Sequence, residues 1–81
     1  MQKINLSIIA KNKIAYQGEA DSITIPTEAG IITVLPRHAE LVSALKKGII
    51  VLKNDKEVQE IEISGGVLEV KSKSNVIILL A

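Results

Sequence analysis

Cysteine, phenylalanine and tryptophan are absent from the 81 residues, and Tyr16 is the only aromatic side chain. Without cysteine the chain forms neither a disulfide nor a thiolate metal site. Without more aromatic rings it lacks the platforms on which single-stranded nucleic acids stack. A chain of this length supports one compact core, which aliphatic side chains have to fill. We therefore expect one domain spanning residues 1–81.

An excess of charge of either sign is also missing. The 10 basic and 9 acidic residues give a net charge of +1 and are spread along the chain, without the basic stripe of a nucleic-acid-binding protein. No signal-peptide pattern follows Met1. The longest apolar run, Val76 to Ala81, is far shorter than the ~20 residues of a membrane-spanning helix. We expect no nucleic-acid partner and no direct insertion into a membrane.

What the sequence does contain is a series of short runs with the period of two that is typical of strands. Ile23 and Ile25 share one face of such a run, and Pro26 is expected to close it. A turn is expected at Asn12, and Asn54 to Glu57 is expected to be the polar loop of a hairpin. Strands recurring every 8 to 12 residues or so favour an all-β protein, a β-sandwich or flattened barrel. The spacing in Ala39 to Lys47 fits either a helix or a strand.

Few residues are candidates for chemistry. His38 is the only histidine and has no Asp or Cys near it in sequence, so a structural or interfacial role is favoured over a catalytic one. Ser64, Gly65 and Gly66 favour a bend rather than a phosphate-binding loop, because no Lys-Ser or Lys-Thr pair follows them. An enzyme is disfavoured for want of a nucleophile–base pair.

Two further features leave alternatives open. Lys56 lies in a tight hairpin, where small all-β carrier domains bear a lipoyl- or biotinyl-lysine, although a charged solvated turn is the commoner case. Ile31 and Ile32 follow Gly30, and alternation places one of the two isoleucines outward, where it either contacts solvent or meets a partner.

Several motifs carry a resemblance to one family. Gly30 to Gly48 (GIITVLPRHAELVSALKKG) is similar to the central motif of ATP synthase epsilon subunits, which reads E-G-E-x-G-I-L-P-G-H-A-P-L and then T-A-L-K-P-G. Ile63 to Val70 (ISGGVLEV) resembles the family's S-G-G-x-x-E-V, and Asn75 to Leu79 resembles its N-V-T-V-L. Tyr16 to Glu28 fits the family's Y-x-G pattern followed by L-P-T-E. The resemblance covers the whole chain in order.

The resemblance implies a flattened β-sandwich of about ten short strands, with Ala39 to Lys47 as a strand. It implies a non-catalytic subunit of the central stalk that couples rotation of the c-ring to the gamma subunit, peripheral to the cytoplasmic face of the bacterial inner membrane. No cofactor, metal, nucleotide or small-molecule substrate is expected, since nucleotide binding in the family belongs to a following helical hairpin. By position, the c-ring would meet Glu28, Ala29, Gly30 and Ile31, and the gamma subunit would meet His38, Ala39, Leu41, Val42 and Ser43.

Some departures from the family pattern, in or beside those segments, bear on these assignments. Arg37 replaces the glycine before the histidine, so the turn either does not need a glycine-only conformation or carries strain. Ile31 replaces an acidic residue and Thr33 a glycine, which favours an apolar contact with the c-ring over a charge-paired one. Glu40 replaces a proline and adds a charge near the gamma side.

Overall fold

The computed structural model describes residues 2–11 and 13–81, and these residues form nine strands and no helix. The expected turn at Asn12 lies outside the described residues. The all-β prediction is confirmed, with nine strands in the described chain where about ten were expected. The strands are β1 Ile4–Ala10, β2 Lys13–Ala20, β3 Ser22–Thr27, β4 Gly30–Val34, β5 Leu41–Leu45, β6 Gly48–Asn54, β7 Glu57–Ile63, β8 Gly66–Val70 and β9 Asn75–Leu80.

One sheet of order β2-β1-β9-β8-β5-β3-β6-β7, with β4 added on β3, curls over itself. Its halves, β2-β1-β9-β8-β5 and β4-β3-β6-β7, are joined through the single pair Thr27 and Leu45. All pairings are antiparallel except that of β1 with β9. The described chain measures 32 × 23 × 22 Å. This is a flattened sandwich that closes around one core.

The core consists of aliphatic side chains from both halves, as the lack of aromatics requires. The inward positions alternate along each strand, so Ile4, Leu6 and Ile8 of β1 are all buried while Asn5 is exposed. The facing half contributes the same pattern from β3 and β6. The fully buried large side chains are Ile4, Leu6, Ile8, Ile23, Ile25, Val34, Ile50, Leu52, Leu68, Val76 and Ile78.

The segment that sequence alone left open is strand β5, Leu41–Leu45, as the family resemblance implied. The prediction that Pro26 closes its strand is wrong, because β3 continues through Pro26 to Thr27. Beyond Thr24, strand β3 no longer pairs with β6, and it meets β5 only at Thr27. On that side no residue of β5 or β6 is registered opposite Pro26, although its carbonyl accepts from the Lys46 N–H at 2.9 Å, so the missing N–H interrupts no ladder there.

The β6–β7 hairpin has a two-residue turn, Asp55-Lys56, because Asn54 and Glu57 already belong to the strands and pair with each other. Asp55 adopts a φ of 56°, as the turns that suit two-residue hairpins require. The backbone N–H of Asp55 donates to the Asp21 carboxylate at 2.6 Å, which fixes the turn to the start of β3.

Register defines two opposite ends of the sandwich. Ala10 pairs with Leu80, Leu80 with Gly66, and Gly66 with Leu45, so these residues mark one end, to which the β3–β4 turn also belongs. At the other end, Leu41 pairs with Val70, whose strand leads into the β8–β9 turn. We call these the 28–31 end and the 71–75 end.

Candidate partner-binding surfaces

The β3–β4 turn forms an exposed tip that hydrogen bonds to Thr27 and to β5 hold in place. Thr27, 2% exposed, donates its hydroxyl to the Gly30 carbonyl at 2.6 Å and accepts from the Ala29 N–H at 3.2 Å. The Glu28 N–H donates to the Ala44 carbonyl of β5 at 2.9 Å. Four consecutive residues on this base are exposed, namely Glu28, Ala29, Gly30 and Ile31. The structure thus brings together all four positions that the resemblance assigned to the c-ring.

The two neighbouring isoleucines at this tip, Ile31 and Ile32, lie on opposite faces of β4. Ile31 is 76% exposed, the most exposed of the large hydrophobic side chains in the described chain, whereas Ile32 is half-buried against the core. The sequence prediction that one of the two isoleucines faces outward is confirmed. The outward side chain stands where the family pattern has an acidic residue, so the tip offers an apolar contact beside the Glu28 carboxylate.

The turn from Leu35 to His38 contains the most informative departure. The His38 N–H donates to the Leu35 carbonyl at 3.2 Å, with Pro36 and Arg37 between them, and Arg37 has a φ of 65°. Proline followed by a residue of positive φ is the pattern of a type II turn, in which glycine is the usual second central residue. Of the two alternatives that the sequence allowed, strain at Arg37 is the one observed.

Strand β5 separates the residues that the resemblance grouped together. Val42 is 70% exposed on the outer face, whereas Leu41 packs against the core and Ser43 is half-buried, because neighbouring side chains alternate. His38 is half-buried, its Nδ1 lies 2.8 Å from the Ala39 carbonyl oxygen, and Ala39 is exposed. A partner on the outer face therefore meets Val42 directly, while Leu41 and Ser43 lie behind it.

The outer face around Val42 bears an apolar row that the sequence motifs did not indicate. Cross-strand pairs join Ala44 to Val67, Val67 to Leu79, Leu79 to Ile9 and Ile9 to Ile14, across β5, β8, β9, β1 and β2. Val67, Leu79 and Ile14 are 41%, 48% and 60% exposed. We call these five residues the outer apolar row. They come from distant segments, and only the register places them side by side.

A polar cluster fixes the chain near the 71–75 end. The Lys3 ammonium contacts the Asp21 carboxylate at 2.8 Å and the Asp55 carboxylate at 2.9 Å, and donates to the Asn54 side chain at 2.7 Å. The hydrogen bonds to Asp21 and Asp55 raise the pKa of Lys3. The hydrogen bond from Lys3, with one from the Asp55 N–H, lowers the pKa of Asp21. The cluster joins the start of β1, the start of β3 and the β6–β7 turn.

Beside this cluster lies a cleft of about 300 Å³, lined by Gln2, Lys3, Arg37, Lys73 and Ser74. The Arg37 N–H donates to the Ser74 hydroxyl at 2.8 Å, so the turn before β5 and the β8–β9 turn form adjoining walls. We call this the basic cleft. It lies at the 71–75 end, opposite the exposed tip.

No three His, Asp or Glu side chains in residues 2–11 and 13–81 are grouped as a metal site would need. His38 contacts a backbone carbonyl rather than a carboxylate. Lys56 is an exposed residue of a two-residue turn. In the same part of the chain, no helix is long and apolar enough to cross a membrane.

These features define a compact β-sandwich with an exposed tip at one end, an apolar row on its outer face and a cleft at the other end. Residues 3–81 match the family described as the ATP synthase Delta/Epsilon chain, beta-sandwich domain. The chain belongs to this family. The match confirms the resemblance of the sequence motifs and gives no support to the carrier alternative at Lys56.

Curated relatives agree with this assignment. The chain is 38% identical over 72 residues to the ATP synthase epsilon chain of Leptospira borgpetersenii, covering 89% of this chain and 57% of the relative. It is 39% identical over 80 residues to that of Sulfurimonas denitrificans, covering 98% and 62%. The chain thus spans about three fifths of the length of these relatives.

Solved structures show the same fold. A chain in a cryo-EM structure of the Euglena gracilis mitochondrial ATP synthase, comprising OSCP, F1 and the c-ring, superposes with a TM-score of 0.91 at 28% identity over 96% of this chain and 50% of that one. A chain from the Tetrahymena thermophila mitochondrial ATP synthase gives a TM-score of 0.81 at 17% identity, over 98% and 63%. The second likeness concerns the fold alone.

Proposed function

We propose that this chain is the β-sandwich part of a non-catalytic rotor subunit of an ATP synthase, which couples the rotation of the c-ring to the gamma subunit. The observation that carries the proposal is the family match over residues 3–81. The subunit acts at the cytoplasmic face of the bacterial inner membrane and is held there by its partners. ATP chemistry belongs to other subunits of the complex.

The exposed tip is the surface that we assign to the c-ring. Support comes from the hydrogen bonds of Thr27 and Glu28, which hold the tip at fixed geometry, and from the 76% exposure of Ile31. A contact that transmits torque needs a rigid base, because a mobile loop would absorb the displacement. Ile31 supplies the apolar part of the contact, with Glu28, Ala29 and Gly30 around it.

The outer face of β5 is the surface that we assign to the gamma subunit. Val42 is the centre of this contact, since it is 70% exposed and adjoins the outer apolar row. Contiguous exposed apolar side chains on a sheet mark a protein-binding surface. His38 and Ala39 extend it towards the 71–75 end, and Leu41 and Ser43 support Val42 from the inner side.

Binding of the purified gamma subunit to the immobilised chain tests the assignment of β5. Val42→Asp places a charge in the centre of the contact, and we expect at least about 10-fold weaker binding, the equivalent of ~1.4 kcal/mol. Val58→Asp is the matched control, because Val58 is 60% exposed on β7, two strands beyond β3 in the sheet. Equal affinities for the two variants would refute the assignment of β5, and no binding by the unmodified chain would refute the proposed function.

A further inference from the structure

The basic cleft contains two cations that the described chain leaves without a counter-ion. Lys3 is held by Asp21 and Asp55. Within residues 2–11 and 13–81, the side chains of Arg37 and Lys73 form neither an ion pair nor a hydrogen bond. Both lie on walls of the same cleft of about 300 Å³. Both side chains are exposed and therefore free to pair with a group outside this part of the chain.

The backbone at the cleft is strained at positions where glycine or asparagine would carry less strain. Arg37, Lys73 and Ser74 have φ values of 65°, 60° and 60°, and they are three of the five non-glycine residues with positive φ in the described chain. The β8–β9 turn, Ser72 to Asn75, closes with Lys73 and Ser74 at the positions where Asn-Gly is usual. Such strain costs on the order of 1–3 kcal/mol for each residue and is concentrated at functional sites. The strained positions hold both unpaired cations.

The cleft adjoins the surface assigned to the gamma subunit. Arg37 directly precedes His38 and Ala39, and Val42 follows at the start of β5. The centre of that surface is apolar, and its edge at the 71–75 end is cationic. An apolar centre with a charged rim, in which arginine is enriched, is the usual construction of a protein interface. The acidic residue nearest to Arg37 in sequence is Glu40, which is exposed.

We infer that the basic cleft binds an acidic segment of the gamma subunit, with Arg37 and Lys73 pairing with its carboxylates. This inference rests on the proposed function and adds a second, electrostatic contact to the apolar one around Val42. Charges at the rim of an interface act mainly on the rate of association and on specificity. The cleft therefore sets the orientation in which the sandwich meets its partner, before the apolar contact closes.

The test compares the double variant Arg37→Gln/Lys73→Gln with the unmodified chain in binding to the purified gamma subunit, at ~50 and ~300 mM salt. Glutamine keeps a polar side chain and leaves the backbone strain in place, so the variant removes the charge without relieving the strain. At low salt we expect about 5- to 10-fold weaker binding, mainly through slower association, and a much smaller dependence on salt. The matched control is Lys11→Gln/Lys47→Gln, which removes the same charge from exposed positions at the 28–31 end.

Each outcome decides between the two proposals. Weaker, salt-insensitive binding by the cleft variant, with the control variant equal to the unmodified chain, supports the inference. Equal affinity and equal salt dependence of the cleft variant and the unmodified chain overturn it, although the proposed function stands. No binding by the unmodified chain refutes the proposed function instead. Thermal unfolding of each variant, expected to match that of the unmodified chain, separates lost binding from lost folding.

Discussion

Gly66 is the glycine whose replacement by alanine should destabilise the fold most. A Cβ built there lies 2.2 Å from the Leu79 carbonyl oxygen, more than 1 Å inside the roughly 3.5 Å at which heavy atoms pack best. Gly66 pairs with Leu80, and the next pair is Val67 with Leu79, so the clash falls on the β8–β9 ladder itself. The obstacle is backbone, which cannot rotate away as a side chain does.

Gly65 provides a matched comparison within the same bend. Its φ is 149°, against 147° for Gly66, but its Cβ would lie 3.6 Å from the nearest atom, the Leu45 carbonyl oxygen. Alanine at either position carries the same backbone strain, on the order of 1–3 kcal/mol. Both substitutions restrict the unfolded chain equally. The difference between the two variants therefore isolates the collision with Leu79.

Relieving that collision requires β9 to move from β8, with loss of one or two ladder hydrogen bonds at ~0.5–1.5 kcal/mol each and exposure of their partners. We expect Gly65→Ala to lose about 1–3 kcal/mol, and Gly66→Ala to lose a further ~0.5–3 kcal/mol. The whole domain, at ~0.05–0.15 kcal/mol per residue, has only ~4–12 kcal/mol for its 81 residues. Gly66→Ala should therefore lose a large share of the stability of the domain.

Far-UV circular dichroism during urea and thermal unfolding is the appropriate measurement, because the chain has no tryptophan. One kcal/mol corresponds to roughly 4–8 °C in Tm for a domain of this size. Gly65→Ala should melt roughly 5–20 °C below the unmodified chain, and Gly66→Ala another ~2–24 °C lower. Equal Tm values for the two alanine variants would refute the account of the β8–β9 contact.

Two further predictions concern the turns and the polar cluster. Arg37→Gly should raise Tm by a few degrees, because it removes left-handed strain of ~1–2 kcal/mol, which is more than the ~0.4–1 kcal/mol by which glycine stabilises the unfolded chain. Arg37→Ala, which keeps the strain, is the control. A Tm below that of the unmodified chain for the glycine variant would contradict the assignment of strain. The hydrogen bond from Lys3 holds the pKa of Asp21 below its ordinary value, so its contribution to stability is present above about pH 4 and is lost as the pH falls through the folded-state pKa. Asp21→Asn should therefore flatten the loss of stability below about pH 5 in urea unfolding, and Glu60→Gln, which removes an exposed carboxylate with no ion pair in the described chain, is the comparison.

Much of the fold follows from the sequence because each inward position is set by a local pattern. Ile23 and Ile25 alternate with polar residues in sequence and are both buried. The β6–β7 hairpin was predicted for the same reason, with its loop one residue too long at each end. Pro26 was misjudged, since the sequence does not show that the register of β3 with β6 ends at Thr24, before Pro26. The order of strands in the sheet determines this, and the sequence of β3 alone does not.

The candidate binding surfaces were likewise predictable from the sequence only in part. The tip from Glu28 to Ile31 is contiguous in sequence, so a motif located it entirely. Alternation alone separates Val42 from Leu41 and Ser43 once β5 is known to be a strand. The outer apolar row was missed, because it needs the parallel pairing of β1 with β9, which joins the two ends of the chain. The basic cleft was missed because Arg37 and Ser74 are 37 positions apart.

The proposed function requires the sandwich to transmit force between the two surfaces assigned above. Strand β5 lies beside the exposed tip at one end, through the hydrogen bond from Glu28 to Ala44, and leads from the strained turn at Arg37 at the other. Under the proposed function, a displacement at the tip would reach β5 through this backbone hydrogen bond. The join of the two halves at Thr27 and Leu45 lies on the same path. Because Thr27 is buried and its hydroxyl both donates and accepts within the tip, Thr27→Val would leave two tip groups without a partner while keeping the core volume. It should loosen the tip without unfolding the domain, and faster amide exchange confined to Glu28, Ala29 and Gly30 would be its signature.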